Sequence, residues 1–415
     1  MEQKTNDVQQ PRTDGPSGPL NIVLTCNFSP WSAYSGGGQR STHNLATVLA
    51  KRGHQVTVIF TKTPQEHITP PADLAYRLRW ADLWDVRSRR NAPLRTLTAV
   101  TVAKAALDEV AAGAQVVHAN GEEAALLPWL RKRNAQSLPP FALVVTPRYP
   151  ALPASLSESH SVLQQARLWF TESKYMALGH ALRGADAVSP PSHYAADLMQ
   201  PIYKLTAQQM RPVHNGVPAE FLNYAWQPEL TPAGRDERPL LFFGRFDHDK
   251  GLDTLVDALG LLGADCPAAL LAGRGPDRAS LENRIQANNL QDRVQVLDWL
   301  SHEALGEALQ KSALAVIPSR EENFSLAVLS VMAVGTPLIT TTVGGTAEVM
   351  EDARTGLLIP PGDPAILAKA IQRIQADPSW AASLGQAARQ KVREGFTWPV
   401  TAAKFEALYR EISHR

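Results

Sequence analysis

The sequence is poor in cysteine, in net charge and in long apolar runs. Its 415 residues include only two cysteines, Cys26 and Cys266. Two cysteines so far apart form neither a disulfide framework nor a metal-binding spacing, and they favour a reducing compartment such as the cytoplasm. The 41 Lys and Arg residues against 40 Asp and Glu leave a net charge of +1, which gives no bulk attraction to nucleic acid. No stretch approaches the roughly 20 apolar residues that a membrane-spanning helix needs.

Several nucleotide-binding motifs are also missing. The glycine run 36–38 and the segment 273–276 (GRGP) both lack the GxGxxG spacing of a dinucleotide turn. There is no GxxxxGK[ST] loop, so nucleotide hydrolysis on a P-loop is not supported. No metal is expected to take part. Residues 1–19 are polar, lack the apolar core of a signal peptide, and are predicted to form a disordered tail.

Short apolar runs alternate with helical patterns along the rest of the chain. The run 20–26 (LNIVLTC), the helical pattern 39–52 and the run 55–60 (QVTVIF) open the series as strand, helix and strand. The alternation stops in a Pro-rich segment and restarts at residue 239. This pattern predicts an α/β fold of two Rossmann-like, doubly wound domains that face each other across a cleft. The predicted parts are an N-terminal domain 20–216, a linker 217–237, a C-terminal domain 238–398 and a final helix 399–415.

Two cations lie near the end of the first strand of the C-terminal domain. Gly244 and Arg245 end that strand, and Lys250 follows five residues later. Ligands of such sheets bind beyond the carboxyl ends of the strands. An arginine fork and a lysine charge beside a glycine suit a diphosphate, although a pair of solvated loop charges is an equal alternative.

The stretch 319–335 (SREENFSLAVLSVMAVG) follows a later strand of the same domain. Ser325 is predicted to be the N-cap, so the free N–H groups of the following helix would face the cleft and bind phosphate. Glu322 precedes the helix and would accept hydrogen bonds from sugar hydroxyls. Alternatively, it is one surface carboxylate in a charged run.

The N-terminal domain offers weaker candidates at its own strand ends. Gly36 and Gly37 would let main chain approach a ligand, or would simply form a flexible turn. His118 ends a strand and is predicted to face the cleft, with a structural role as the alternative. Arg148 ends the next strand, where it would meet a phosphate or pair with a surface acid.

These motifs, in this order, resemble the retaining GT-B glycosyltransferases of family 4, which include sucrose and glycogen synthases. The resemblance covers nearly everything after residue 20. It rests on GGGQRSTHNLATVLAKRGHQVTVI, QVVHANGEEAALL, VHNGV, FFGRFDHDKGLDTLVDAL, LAGRGP, PSREENFSLAVLSVMAVGTPLITTTVGGTAEVM and GLLIPPGDP. It implies that a sugar moves with retention from a nucleoside diphosphate sugar, without metal or cofactor, to a glycan, a lipid-linked molecule or a small molecule.

The resemblance also implies roles for single residues. The donor diphosphate would be bound by Gly36, Gly37, Gly244, Arg245 and Lys250. The transferred sugar and its phosphate would meet Glu322 and the backbone of Phe324, Ser325 and Leu326, with His118 and Arg148 at the reaction centre and Trp299 at the base. The last helix would cross back onto the first domain.

The chain departs from the family pattern at four positions. Ser330 replaces the second Glu of a pair, which usually holds the ribose, and Ser325 replaces a Gly. Asn120 and Arg148 stand where many relatives carry histidine. These departures leave open a catalytically degenerate GT-B binding or scaffold protein, a pseudo-glycosyltransferase that joins non-sugar rings, and a sugar-nucleotide epimerase. A nicotinamide-dependent oxidoreductase is disfavoured by the missing GxGxxG.

The segment from Tyr76 to Arg95 bears on the acceptor. It carries six arginines interleaved with Trp80 and Trp84. Such a segment would rest on an anionic membrane beside a lipid-linked acceptor, or would form a solvated helix face with two core tryptophans. The predicted location is therefore cytoplasmic, either free or peripheral on the inner face of the membrane.

Overall fold

The computed structural model describes residues 18–32, 35–63, 65–83, 95–147, 176–227 and 238–413. Most of the predicted tail 1–19 and part of the predicted linker 217–237 lie outside these ranges, as does Arg148. The described residues form two α/β units, and each is built on a six-stranded parallel sheet.

The first sheet has the strand order β3-β2-β1-β4-β5-β6. Its strands are β1 (Asn21–Cys26), β2 (Gln55–Lys62), β3 (Arg77–Asp82), β4 (Val116–Ala119), β5 (Ala142–Val145) and β6 (Ala187–Val188). The helices are α1 (Gly37–Lys51), α2 (Arg95–Ala111), α3 (Leu127–Arg133), α4 (described over 176–183) and α5 (His193–Tyr203). The central strands are apolar and buried on both faces, as parallel strands covered by helices require.

The second sheet has the order β12-β11-β10-β7-β8-β9. Its strands are β7 (Leu240–Arg245), β8 (Ala269–Arg274), β9 (Val294–Leu297), β10 (Leu314–Ile317), β11 (Leu338–Thr341) and β12 (Leu357–Ile359). The helices are α6 (Leu252–Leu262), α7 (Arg278–Ala287), α8 (His302–Lys311), α9 (Leu326–Val334), α10 (Thr346–Val349), α11 (Pro364–Ala376), α12 (Pro378–Gly395) and α13 (Trp398–Ser413).

Both sheets reverse their strand order at the equivalent place. The first switches between β1 and β4, and the second between β7 and β10. A doubly wound sheet leaves a crevice at this switch point, outside the carboxyl ends of the strands. The two crevices open into one cleft between the domains, and the predicted α/β, two-domain fold is confirmed.

The last helix, α13, packs on the first sheet. Tyr409 and Phe405 are buried in the same core as Leu24 of β1. Glu406 fixes the outer face of α13 through Arg52, at 2.7 Å. Burial alone would raise the pKa of Glu406, but hydrogen bonds from Arg52, Arg410 and His54 lower it to about 2. The C-terminal segment is therefore tied to the N-terminal domain by both apolar and ionic contacts.

The arginine-rich segment begins as an edge strand rather than a helix. Arg77 and Arg79 belong to β3, so the predicted solvated helix face is wrong for this part. Arg79 pairs with Asp108 at 2.6 Å and with Glu109 at 2.9 Å, and Arg77 also pairs with Glu109. Two of the six arginines are thus neutralised by acids of α2, and residues 84–94 lie outside the described ranges. Within those ranges, the helices all fall short of the length and hydropathy that a membrane crossing requires.

Candidate active site between the two domains

A cleft of ≈ 950 Å³ separates the two domains at their switch points. This is at the upper end of the range of small-molecule sites, which hold about 300–1,000 Å³. The first domain contributes Asn27, Gly36, Gly37, Asn120, Glu122 and Glu123. The second contributes Arg245, Lys250, Glu322, Phe324, Leu326 and Gly344. The structure therefore brings most of the predicted donor-binding positions to one place.

The glycine run forms the start of α1. Gly36 is the N-cap and Gly37 is the first helical residue, so the predicted turn ends two residues earlier than the sequence pattern suggested. The side chain of Gln39 accepts a hydrogen bond from the Gly36 N–H at 2.9 Å. A Cβ atom on Gly37 would lie 3.2 Å from the Leu326 side chain of the opposite domain. The free N–H groups at the start of α1 therefore face the cleft at its narrow point, where they suit an anion.

The predicted diphosphate cations differ in their surroundings. Arg245 ends β7 with 70% of its side chain exposed and pairs with Asp247 at 2.5 Å. Lys250 is 22% exposed, and its Nζ lies 2.5 Å from Glu322 Oε1. Ser319 also donates to that carboxylate, at 3.3 Å. Lys250 and Glu322 are thus held against each other at the switch point, whereas Arg245 extends into the cleft.

The turn before α9 is built by backbone contacts. Ser325 is the N-cap of α9, and its side chain accepts from the Val328 N–H at 3.3 Å. Gly345 N donates to Asn323 O at 3.1 Å. Gly344 has φ +58 and packs against the carbonyl of Glu322. The neighbouring segment 342–344 thus fixes the path of residues 322–324 along the cleft.

Four predicted donor-binding residues lie outside the group that lines the cleft: Gly244, Trp299, Ser325 and Ser330. The Ser330 hydroxyl is buried and donates to Leu326 O at 2.9 Å, so its proton is used inside α9. Trp299 follows the edge strand β9 and is 51% exposed. A ribose contact through Ser330 or a base contact through Trp299 remains a prediction.

His118 does not face the cleft. It is 1% exposed, and its ring nitrogens lie 2.5 Å from Tyr409 Oη and 2.7 Å from Thr146 Oγ1. Successive strand residues point to opposite faces of a sheet. His118 therefore points to the face covered by α13, where its ring packs against Phe405, and the expected placement is wrong.

Replacing His118 with alanine is expected to lower stability rather than disrupt substrate binding. The change empties a buried site and leaves two hydroxyls without a ring partner, which costs about 2–4 kcal/mol. Urea unfolding of the variant would measure this loss, and donor titration of the folded variant should give the wild-type Kd. A weakened Kd at unchanged stability would instead place His118 in the binding machinery.

Sequence reasoning missed several polar residues of the cleft. Asn27, Gln39, Glu122 and Glu123 line its N-terminal wall. Burial, reinforced by the neighbouring Glu122, raises the pKa of Glu123 to about 7. The signal was present in the sequence, since the two glutamates follow the end of β4 by only three and four residues, in the stretch 118–124 (HANGEEA).

Comparisons with known proteins agree with this geometry. The family model for Glycosyltransferase Family 4 matches residues 35–221, and the model for glycosyl transferases group 1 matches residues 229–391. The chain is 30% identical over 241 residues to alpha-D-kanosaminyltransferase of Streptomyces kanamyceticus, covering 56% of this chain and 62% of that protein. It is 31% identical over 200 residues to glycogen synthase of Mycobacterium tuberculosis, covering 48% and 47%. These matches thus span about half to three fifths of the curated relatives.

Similarity to a solved structure extends over nearly the whole molecule. Sucrose-phosphate synthase from Thermosynechococcus elongatus superposes with a TM-score of 0.77 at 26% sequence identity. The match covers 94% of this chain and 98% of that one. The two-domain arrangement around the cleft is therefore shared by a protein of similar length.

Proposed function

Because the chain belongs to the GT-B glycosyltransferases of the family 4 type, we propose that it moves a sugar from a nucleoside diphosphate sugar to an acceptor, with retention of configuration. The observation that carries the proposal is the meeting of Arg245, Lys250 and Glu322 with the N-terminal end of α1 in one cleft. The acceptor is a glycan, a lipid-linked molecule or a small molecule, and the proposed location is cytoplasmic.

The chemistry follows from where charge develops. The bond between the anomeric carbon and the diphosphate oxygen breaks, leaving oxocarbenium character on the sugar and negative charge on the phosphate. Arg245, Lys250 and the helix N-terminus stabilise that charge electrostatically. With retention the acceptor oxygen attacks on the face from which the diphosphate leaves. The departing phosphate oxygen is then the nearest base for the acceptor proton.

The protein cations supply the stabilisation that a metal would otherwise give, so no metal or cofactor is proposed for this step. Glu322 would accept hydrogen bonds from the sugar hydroxyls while its charge is balanced by Lys250. Closure of the two domains would exclude water and limit hydrolysis of the donor.

Titration calorimetry with UDP, GDP, ADP and TDP would test the proposal first. One diphosphate should bind, and Arg245→Ala should weaken that binding at least tenfold through the lost charge-assisted contact. Arg354→Ala is the matched control, because Arg354 is similarly exposed, is likewise paired with a carboxylate, that of Glu351, and does not line the cleft. A folded protein that binds none of the four would contradict the proposal.

Ser330, which stands where the family pattern has a Glu, supports the alternative that this chain is a non-catalytic binding protein. One further variant distinguishes that alternative from a working glycosyltransferase. If Ser330→Glu binds a diphosphate that the wild-type protein does not, the serine is the lesion and a non-catalytic role is favoured. Product analysis with the identified donor would then distinguish sugar transfer from epimerisation or from pseudo-glycosidic coupling.

A further inference from the structure

Three potential metal ligands meet where the two domains join. They are His193, the first residue of α5, His214 in the segment that follows α5, and Glu348 in α10. One ligand atom from each lies within 4.8 Å of the other two. His214 Nε2 is 2.7 Å from Glu348 Oε2. The three side chains come from separate parts of the chain and converge only because the domains are in contact.

Two of the three ligands are held in place by their surroundings. The Glu348 carboxylate accepts hydrogen bonds from the His193 and Tyr194 N–H groups at 2.9 and 2.8 Å. The His214 ring lies between Phe324 and Phe396, with ring centroids 5.3 and 5.4 Å away. His193 is exposed. An ion would therefore meet a fixed His–Glu pair and, on the solvent side, a third ligand whose ring packs edge-on against His214 with ring centroids 5.8 Å apart.

The donor atoms suit a particular class of ion. Two imidazole nitrogens and one carboxylate oxygen are the ligands of tetrahedral zinc sites that keep an open fourth position. Ligand atoms about 2.1 Å from a tetrahedral ion lie about 3.4 Å apart. The spacings in the cluster, from 2.7 Å up to 4.8 Å, bracket that value. Calcium and magnesium prefer sets made of oxygen only, so the cluster disfavours them.

We propose that His193, His214 and Glu348 form a binding site for zinc or a similar divalent transition metal, which cross-links the two domains. The site is separate from Lys250 and Arg245, so the ion takes no part in bond breaking. It would replace the proton shared between His214 and Glu348 and recruit His193 as the third ligand.

The site is connected to the cleft. Ser192, next to His193, donates to Asn323 O at 2.8 Å, and the ring that stacks on His214 belongs to Phe324 of the donor-binding turn. A bound ion would hold this closed arrangement of the domains. Where the domains must separate to release product, the ion would lower the turnover rate. Metal binding itself does not depend on the proposed transferase activity, so the two proposals fail independently.

Metal binding is measured on untagged full-length protein after chelator treatment and desalting. Zinc titration should show one tight site per chain and raise Tm by a few degrees. Cobalt should give the strong visible absorption of a tetrahedral complex. Loss of one ligand should cost more than the roughly 10- to 100-fold that outer contacts contribute, so His193→Ala should weaken zinc binding at least 100-fold.

His193→Ala tests the site better than His214→Ala does. His214→Ala also removes a packed ring and lowers stability on its own, whereas His193 is exposed and its loss should leave the fold intact. His180→Ala is the control, because His180 is an exposed histidine of α4 in the same domain. Zinc binding by His193→Ala that equals that of the wild type and of the control would overturn the proposal. So would a wild-type cobalt spectrum that stays weak and octahedral.

Discussion

Replacing Lys250 with alanine is expected to lower kcat by about 100- to 1000-fold, the usual effect of removing one preorganised group that stabilises a developing anion. Lys250 is the least exposed cation among those predicted to contact the diphosphate, and its Nζ lies 2.5 Å from Glu322 Oε1. A charge in such a partly dry site interacts more strongly than one in open solvent.

The same substitution has a second effect through Glu322. With Lys250 gone, this carboxylate keeps the hydrogen bond from Ser319 but loses its ion-pair partner. An uncompensated charge in a partly buried site is destabilising. The position of the Glu322 carboxylate beside the proposed donor sugar would then be less well defined. Lys250→Arg retains the charge and should be faster than Lys250→Ala. It should stay slower than the wild type, because a planar guanidinium cannot take the position of the compact lysine ammonium.

Steady-state kinetics with the identified donor would separate these effects. Lys391→Ala is the matched control, because Lys391 is buried to a similar degree and pairs with Glu351 at 2.8 Å, away from the cleft. We expect the control to keep the wild-type kcat and the Lys250 variant to lose it. Equal losses in both variants would mean that the effect is one of stability. An unchanged kcat in the Lys250 variant would mean that this lysine does not stabilise the transition state.

The strand-end residues of the second domain were predictable because topology decides their location. Gly244 and Arg245 end β7, and Glu322 follows β10, its neighbour across the switch point. Strand ends on either side of that point must open into one crevice. The order of apolar runs in the sequence is enough to place such residues together, even though it gives no distance between them.

The wrong predictions concern His118 and the arginines of β3, where the local sequence pattern does not determine which face of the sheet a side chain points to or what it contacts. His118 lies in a strand buried on both faces, so its apolar neighbours gave no indication of which side it points to. Packing against Tyr409, 291 residues away, decides this. The arginines of β3 alternate with other residues, and the pairing of Arg79 with Asp108 and Glu109 of α2 again requires the tertiary structure.

The backbone beside the turn that precedes α9 requires a residue without a side chain at Gly344. It has φ +58, and a Cβ atom there would lie 1.7 Å from the carbonyl oxygen of Glu322. Gly344→Ala must therefore move either its own loop or the backbone of Glu322. We expect a loss of stability of about 2–4 kcal/mol, from the positive φ together with the steric clash. A displacement of Glu322 by about 1 Å would also cost on the order of 100-fold in rate.

Gly362→Ala isolates the part of this effect that comes from the positive φ alone. Gly362 has φ +78, but a Cβ atom there would meet nothing within 4 Å. That variant should lose only about 1 kcal/mol in urea unfolding, the conformational cost of alanine at positive φ, and should keep the wild-type kcat. If the two variants behave alike, the contact between Gly344 and Glu322 does not constrain the site. If Gly344→Ala alone loses activity while it is still folded, then the close packing of Gly344 against the Glu322 backbone, and not merely the Glu322 carboxylate, is required for catalysis.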